Sequence, residues 1–324
     1  MKTVRLALLA LGAAFVGYLI VEVGPDMLLT SIRTLSWRLL VVLVFPFGVV
    51  TVLDTLGWRF AFHRDRASFL TLYPVRLAGE AFNVATPTAS VGGEPVKAYL
   101  LRPRVPFEEG LASVIVDKTT ITLAQGCFLV LGLGLAWVLF SLPSAFLHGM
   151  TGLLVIETLA LGGFVIVQRR GIFGGGLKLL TGLGLAWGER HADKLHGLDR
   201  ALAAFYRERR GRLCVSLLCH FLGWILGSLE AYLILYFLGI PISLTTAFVI
   251  EAFVAAVKFA AFLIPAGLGA LEGGNVAVFA ALGLGAGLGL SFALVRRLRE
   301  LTWVTAGLIV LAFLRSSLTS ELAA

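Results

Sequence analysis

Eight ionisable residues lie within or against long apolar runs: Glu80, Glu94, Lys97, Asp117, Lys118, Glu251, Lys258 and Glu272. A charge at the centre of a bilayer costs roughly 2.5–3.5 kcal/mol on insertion scales, so eight unpaired ones would cost on the order of 20 kcal/mol. They must face one another or water. Arg76 and Glu80 are one helical turn apart, as are Glu94 and Lys97, and Glu272 and Asn275. Glu251 and Lys258 share a face two turns apart. Helix-to-helix polar glue accounts for any single residue; the set is better explained as the lining of one polar cavity. Asp117-Lys118 is followed by Thr119, Thr120, Thr122 and Gln125, a polar helical face that suits a headgroup path. Arg76, Lys97, Lys118, Lys258 and Arg297 could meet a phosphate. The acids equally suit a cationic headgroup or a carried proton.

Two interrupted segments must position these groups. The first, 68–101, carries Glu80, Asn83, Pro87, Gly92, Gly93, Glu94 and Lys97. The second, 242–294, carries Glu251, Lys258, Pro265, Gly267, Gly269, Glu272 and Asn275. Each has Glu-Ala-Phe on its first limb, and a Pro followed seven residues later by a Glu beside a Gly-Gly pair. The two Pro–Glu pairs are 178 residues apart. Proline removes a backbone donor and breaks a helix, and glycine permits the turn. The freed backbone groups cannot face lipid, so they must sit inside protein or line a wet cavity. Each segment is therefore expected to be a pair of helices meeting at a non-helical turn at membrane depth. Entering from opposite faces, the pair would make inverted repeats with a site near the midplane. The second segment is also long enough for two full spans.

The surrounding composition is that of a membrane protein. The 324 residues are 58% hydrophobic and 14% charged, against about 25% charged in soluble domains. Apolar runs at 4–22, 38–60, 112–140, 146–168, 213–238 and 301–315 match the roughly 20 residues needed to cross a bilayer. The expected class is all-α and polytopic, one membrane domain. It divides into a first helix and connection (1–37), a first repeat (38–168), a linker (169–212), a second repeat (213–315) and a tail (316–324). The linker holds ten Lys/Arg and four acids, a net of +6 out of the chain's +8. The loops 141–148 and 239–243 hold no Lys or Arg. Cytoplasmic placement of the basic linker and of the N-terminus follows from that asymmetry, with Arg33 and Arg38 against the trend. Within the linker, Leu195, Leu198, Leu202 and Phe205 share one helical face, as expected of an amphipathic helix on the membrane surface. Arg296, Arg297, Arg299 and Glu300 precede the last span as interfacial anchors would.

Other chemistries find little support. The positive balance is explained by topology and anionic lipid, not nucleic acid. Cys127, Cys214 and Cys219 form no C-x-x-C pair, and His191 and His196 lack companion ligands, so no metal or cofactor is expected. There is no phosphate-binding G-x-x-x-x-G-K-[ST] loop for ATP. The N-terminal run lacks an A-x-A-like cleavage site and is expected to stay as a helix.

At these residues the chain resembles the lysylphosphatidylglycerol synthase transmembrane, or flippase-like, family. The likeness rests on Gly79-Glu80 with Asn83 and Pro87, on Gly93-Glu94-Pro-Val-Lys97-Ala-Tyr-Leu-Leu-Arg102, and on Val-Ile-Val116-Asp117-Lys118. It extends to Pro265-Ala-Gly267-Leu-Gly269-Ala-Leu-Glu272 and Arg297 to Trp303. The form Ala-Ser-Val-Gly-Gly-Glu-Pro resembles a branch associated with hopanoid biosynthesis. The family often has Arg where this chain has Lys118. The resemblance implies a bacterial inner-membrane protein that translocates or handles polar lipids, such as an anionic or aminoacylated phospholipid or a hopanoid. Relatives with synthase activity carry a soluble transfer domain after the membrane part. This chain ends nine residues beyond the last apolar run, so the synthase activity is not expected here.

The expected function is lipid translocation, with no catalytic residues. The path would be lined by Arg76, Glu80, Asn83, Glu94, Lys97, Asp117, Lys118, Glu251, Lys258, Glu272, Asn275 and Arg297. The alternatives are an intramembrane lipid-modifying transferase and a scaffold for a lipid-synthesis complex. The oligomeric state is open, and a homodimer is compatible with the sequence.

Overall fold

The computed structural model describes residues 33–86, 92–171 and 192–323, together with Val21 and Thr30. Pro87, the expected helix at 4–22 apart from Val21, and positions 172–191 of the linker lie outside them. Every regular element among the described residues is helical. In chain order these are α1 (Arg38–Phe60), α2 (Phe69–Ala85), α3 (Gly93–Leu101), α4 (Phe107–Leu139), α5 (Ser144–Arg170), α6 (Ala192–Glu208) and α7 (Arg210–Phe237). They continue with α8 (Leu244–Ala260), a 3-10 turn (Pro265–Gly267), α9 (Ala270–Ala281) and α10 (Ala286–Ala323). Among the described residues α1, α4, α7 and the 144–168 part of α5 are long and apolar enough to cross a membrane. Their outward faces carry bare Val, Leu, Ile and Phe side chains, such as Val44, Val138, Ile156 and Leu159. Lipid is the cover that suits such a surface on helices of this length.

The order long helix, broken hairpin, long helix occurs twice: α1, α2/α3, α4 and then α7, α8/α9, α10. Both hairpins open with the same cap. Ser68 and Ser243 accept the amide hydrogens of Thr71 and Thr246, three residues on, at 3.3 and 3.0 Å. Their hydroxyls lie 3.1 and 2.9 Å from the same threonines' hydroxyls. A serine at this position satisfies an amide that the first helical turn leaves without a partner. Helices α1 and α7 run antiparallel. Arg212 reaches the Arg59 carbonyl at one end, and Arg38 lies over Phe237 at the other. Hairpin α2/α3 therefore starts from one face of the protein and α8/α9 from the opposite face. Their tips meet inside, where α2 touches the 265–267 turn.

Two expectations need correction. The apolar run 301–315 is not a separate span preceded by interfacial anchors. One continuous helix runs from Ala286 to Ala323, and Arg296, Arg297 and Arg299 lie in its interior. Their positive charge made that stretch read as a boundary, but acidic partners on other helices neutralise it. The amphipathic helix of the linker exists as α6, yet its apolar side faces protein. Leu198, Leu202 and Phe205 are buried in a cluster with Trp58, Leu72, Leu101 and Val116. An apolar stripe has the same pattern whether lipid or protein covers it.

That cluster is one of two. It holds the end of α1 and the first half of α2, together with α3, the start of α4 and α6. The other gathers the far ends of α4 and α7, the start of α5, and much of α8, α9 and α10. The charged residues of the apolar runs occupy the layer between them.

Candidate functional site

The first hairpin folds around one lysine. Gly93 starts α3 so close to α2 that a Cβ there would overlap the Gly79 carbonyl. Its amide donates to Asn83 Oδ1 at 2.6 Å, which pins the second limb to the first. Lys97, 1% exposed, then lies between the two limbs. Its Nζ is 2.5 Å from Glu80 Oε1 and 3.0 Å from Glu94 Oε2. Glu94 also accepts from Asn83 at 3.1 Å and pairs with Lys118 of α4 at 3.1 Å. Beside this group, Arg76 donates to Asp117 Oδ2 at 3.0 Å and to the Asp54 carbonyl at 3.1 Å. Asp117 and Asp54 in turn face the two nitrogens of His220, at 3.0 and 2.8 Å. Five helices thus contribute to one network, buried at Arg76, Lys97, Asp117 and His220 and half-exposed at Glu80 and Lys118.

The second hairpin borrows its cations from α10. Arg297 pairs with Glu272 at 2.6 Å and with Glu300 at 2.5 Å. It also donates to the Ala266 carbonyl at 2.9 Å. That contact holds the break itself, where Ala266 (φ 54°), Gly267 (φ 59°) and Gly269 (φ 81°) all adopt left-handed backbone. Such a φ is strained for alanine and free for glycine. Glu272 additionally accepts the Gly269 amide at 2.8 Å and so starts α9. On either side of Arg297 along α10, Arg296 pairs with Glu251, and Arg299 with Glu230 of α7.

Between the second hairpin, α10 and the α1/α7 pair is a cavity of about 210 Å³. Glu230, Glu251, Lys258, Glu272, Asn275, Arg296, Arg297, Arg299 and Glu300 line it, and Asp54 and His220 form part of the far wall. Lys258 differs from the arginines. It is exposed, and among the described residues it has no carboxylate within 4 Å. Several buried polar atoms around the cavity also have no hydrogen-bond partner: Arg296 Nε, Arg299 Nε, Glu230 Oε1 and Asn275 Oδ1. Buried polar groups are normally satisfied; a cluster of unsatisfied ones around a cavity is what a polar guest would complete.

Of the twelve residues expected on a common path, Glu251, Lys258, Glu272, Asn275 and Arg297 line the cavity. Arg76, Glu80, Asn83, Glu94, Lys97, Asp117 and Lys118 do not. They form the packed network behind its wall, joined to it through Asp54 and His220. Gly92 and Gly93 lead into α3, while Pro265, Gly267 and Gly269 mark the second break. Six members of the constellation are absent from the expected path: Arg296, Arg299 and Glu300, which read as interfacial anchors, and Asp54, His220 and Glu230. Asp54 and Glu230 lie in the apolar spans 38–60 and 213–238, so the rule that flagged Glu80 also covers them. His220 carries no formal charge in the sequence and gave no such signal. No group of three or more His, Cys, Asp or Glu side chains arranged to hold a metal occurs among the described residues.

Residues 4–308 match the family model described as the lysylphosphatidylglycerol synthase TM region. A membrane protein of Methanothermobacter thermautotrophicus described as UPF0104 is 27% identical, over 99% of both chains. No solved structure matches.

Proposed function

This chain belongs to the lysylphosphatidylglycerol synthase transmembrane family, a family of multi-pass membrane proteins tied to lipid handling, and we propose that it carries a polar lipid across the bilayer. The observation that bears the most weight is the cavity with Lys258 unpaired in its wall. A volume of about 210 Å³ accepts a phosphate and a small headgroup, while the hydrocarbon body stays in lipid. The phosphate would sit against Lys258, near the free Nε atoms of Arg296 and Arg299, and a headgroup amine against Glu230 and Glu251. Movement of one hairpin-bearing half against the other would expose this layer to each face in turn. The basic loops around Arg64 and Arg104 face the cytoplasm in this scheme. In this reading the protein is a transporter rather than an enzyme.

The test is a reconstitution. The chain is placed in liposomes containing fluorescent phosphatidylglycerol, lysylphosphatidylglycerol or an amino-hopanoid, and surface quenching follows the dye. The protein is expected to speed transfer of at least one probe, and Lys258→Gln to slow it by 10-fold or more, on the order of the 1.4 kcal/mol that one charge-assisted contact supplies. Rates equal to those of empty liposomes for all probes would end the transport reading. New lipid products formed in detergent, where there is no second leaflet, would favour the transferase.

A further inference from the structure

His220 makes an unusual pair of contacts. Its Nδ1 lies 2.8 Å from Asp54 Oδ1 and its Nε2 3.0 Å from Asp117 Oδ1. A neutral imidazole has one N–H and one bare nitrogen. Set between two carboxylates, a neutral ring would point a lone pair at an oxygen lone pair. The arrangement therefore accommodates one proton more than a neutral histidine between two ionised aspartates.

The charge balance of the surroundings agrees. Arg76 on α2 faces both aspartates. The network behind the wall contains four carboxylates (Asp54, Glu80, Glu94 and Asp117) and three permanent cations (Arg76, Lys97 and Lys118). One more positive charge makes it neutral. Across the cavity stand Glu230, Glu251 and Lys258. The ring itself is fully buried, but Asp54 keeps 16% of its side chain exposed and lines the cavity with it. Protons from the cavity can thus reach the ring through Asp54. The ring is also held in place. A Cβ on Gly57 would come within 2.6 Å of His220 Nε2, so the backbone of α1 lies flat against it.

We propose that His220, clamped between Asp54 and Asp117 in the cavity wall, is a proton-binding site that couples lipid movement to a proton gradient. The site rests on the transport reading for its purpose, but not for its existence. With the proton bound the wall is neutral and tolerates an anionic headgroup; with the proton lost the wall carries a negative charge and repels it. Proton and anionic lipid therefore bind together and leave together.

The test uses the full chain in phosphatidylcholine liposomes with fluorescent phosphatidylglycerol as the probe. A gradient of about two pH units is imposed in each direction, which for one proton per lipid permits up to about 100-fold accumulation in one leaflet. The wild-type protein is expected to accumulate the probe with one gradient direction, and His220→Gln to show no response to either. Wild-type transfer that ignores the gradient would overturn the coupling while leaving the transport reading intact. A second measurement does not depend on transport or on the variant's folding. Nitrogen-15 spectra of histidine-labelled protein, with His63, His148, His191 and His196 replaced by Gln, isolate the His220 ring. A change from one protonated nitrogen to two as the pH is lowered is expected. A ring that stays neutral, or stays doubly protonated, between about pH 5 and 9, far on both sides of the usual histidine midpoint, would overturn the site even if lipid moves.

Discussion

The two broken hairpins start alike and finish differently. Each has a first limb of 17 residues, Phe69–Ala85 and Leu244–Ala260, and each limb is capped by the same Ser-x-x-Thr arrangement. The first neutralises its acids internally, with Lys97 between Glu80 and Glu94. The second has its lysine, Lys258, facing the cavity, and takes its compensation from Arg296 and Arg297 of α10. The first is thereby closed, with Lys118 of α4 also paired to Glu94. The second depends on a neighbouring helix and leaves a cation free. The same motif serves as scaffold in one half and as binding surface in the other, and the placement of one lysine makes the difference.

The largest effects should separate those roles. Lys97→Met takes the shared cation from Glu80 and Glu94, leaving Glu94 with Lys118 and Asn83, and should destabilise the protein by about 3 kcal/mol, seen as a lower thermal midpoint in detergent. Lys258→Met should change the midpoint little and abolish most lipid transfer. Equal losses of stability in the two variants would break the comparison. Gly93→Ala puts a methyl group against the Gly79 carbonyl and should cost about 1–3 kcal/mol, by the same assay. Arg297→Lys keeps the charge but not the planar fork that reaches Glu272, Glu300 and the Ala266 carbonyl together. A loss of about 1–2 kcal/mol is expected, with protease sensitivity rising at the 261–269 break.

Glu157 offers a control outside both hairpins. It is 1% exposed in α5, and neither carboxyl oxygen has a hydrogen-bond partner. Glu157→Leu should raise stability by about 1–2 kcal/mol, because a buried acceptor without a partner is removed. The smallest effect concerns Asp65, in the connection that leads into the first hairpin. A hydrogen bond from Arg212 at 2.9 Å holds its carboxyl below the usual carboxylate range. A depressed value in the folded state means that the contact stabilises the protein above the unfolded midpoint, near pH 4. It is lost as the pH falls through the folded value. Asp65→Asn should remove that small acid-side slope in a stability-versus-pH series and leave the neutral-pH value nearly unchanged, since Asp65 is largely exposed.

The sequence alone carried the helical class, because apolar runs of bilayer length admit only helices when no barrel pattern is present. It also carried both breaks: α2 stops at Ala85 and helix resumes at Gly93, and α8 stops at Ala260 and α9 starts at Ala270. That the buried charges must be paired followed from the energy of isolating them, and Glu80, Glu94, Lys97 and Glu272 are paired. Which residues pair was settled elsewhere. Glu94 with Lys97 was visible at helical spacing, but Arg297 with Glu272 and Arg76 with Asp117 join residues 25 and 41 positions apart. Arg296, Arg297 and Arg299 look like a membrane boundary until the acids of α7, α8 and α9 are placed beside them. His220 is an ordinary residue of an apolar span until packing sets it between two aspartates. Local chemistry dictates where a helix forms and where it must stop, because those depend on neighbouring residues. The partner of each charge, and the presence of a cavity between them, depend on how helices distant in sequence are brought together.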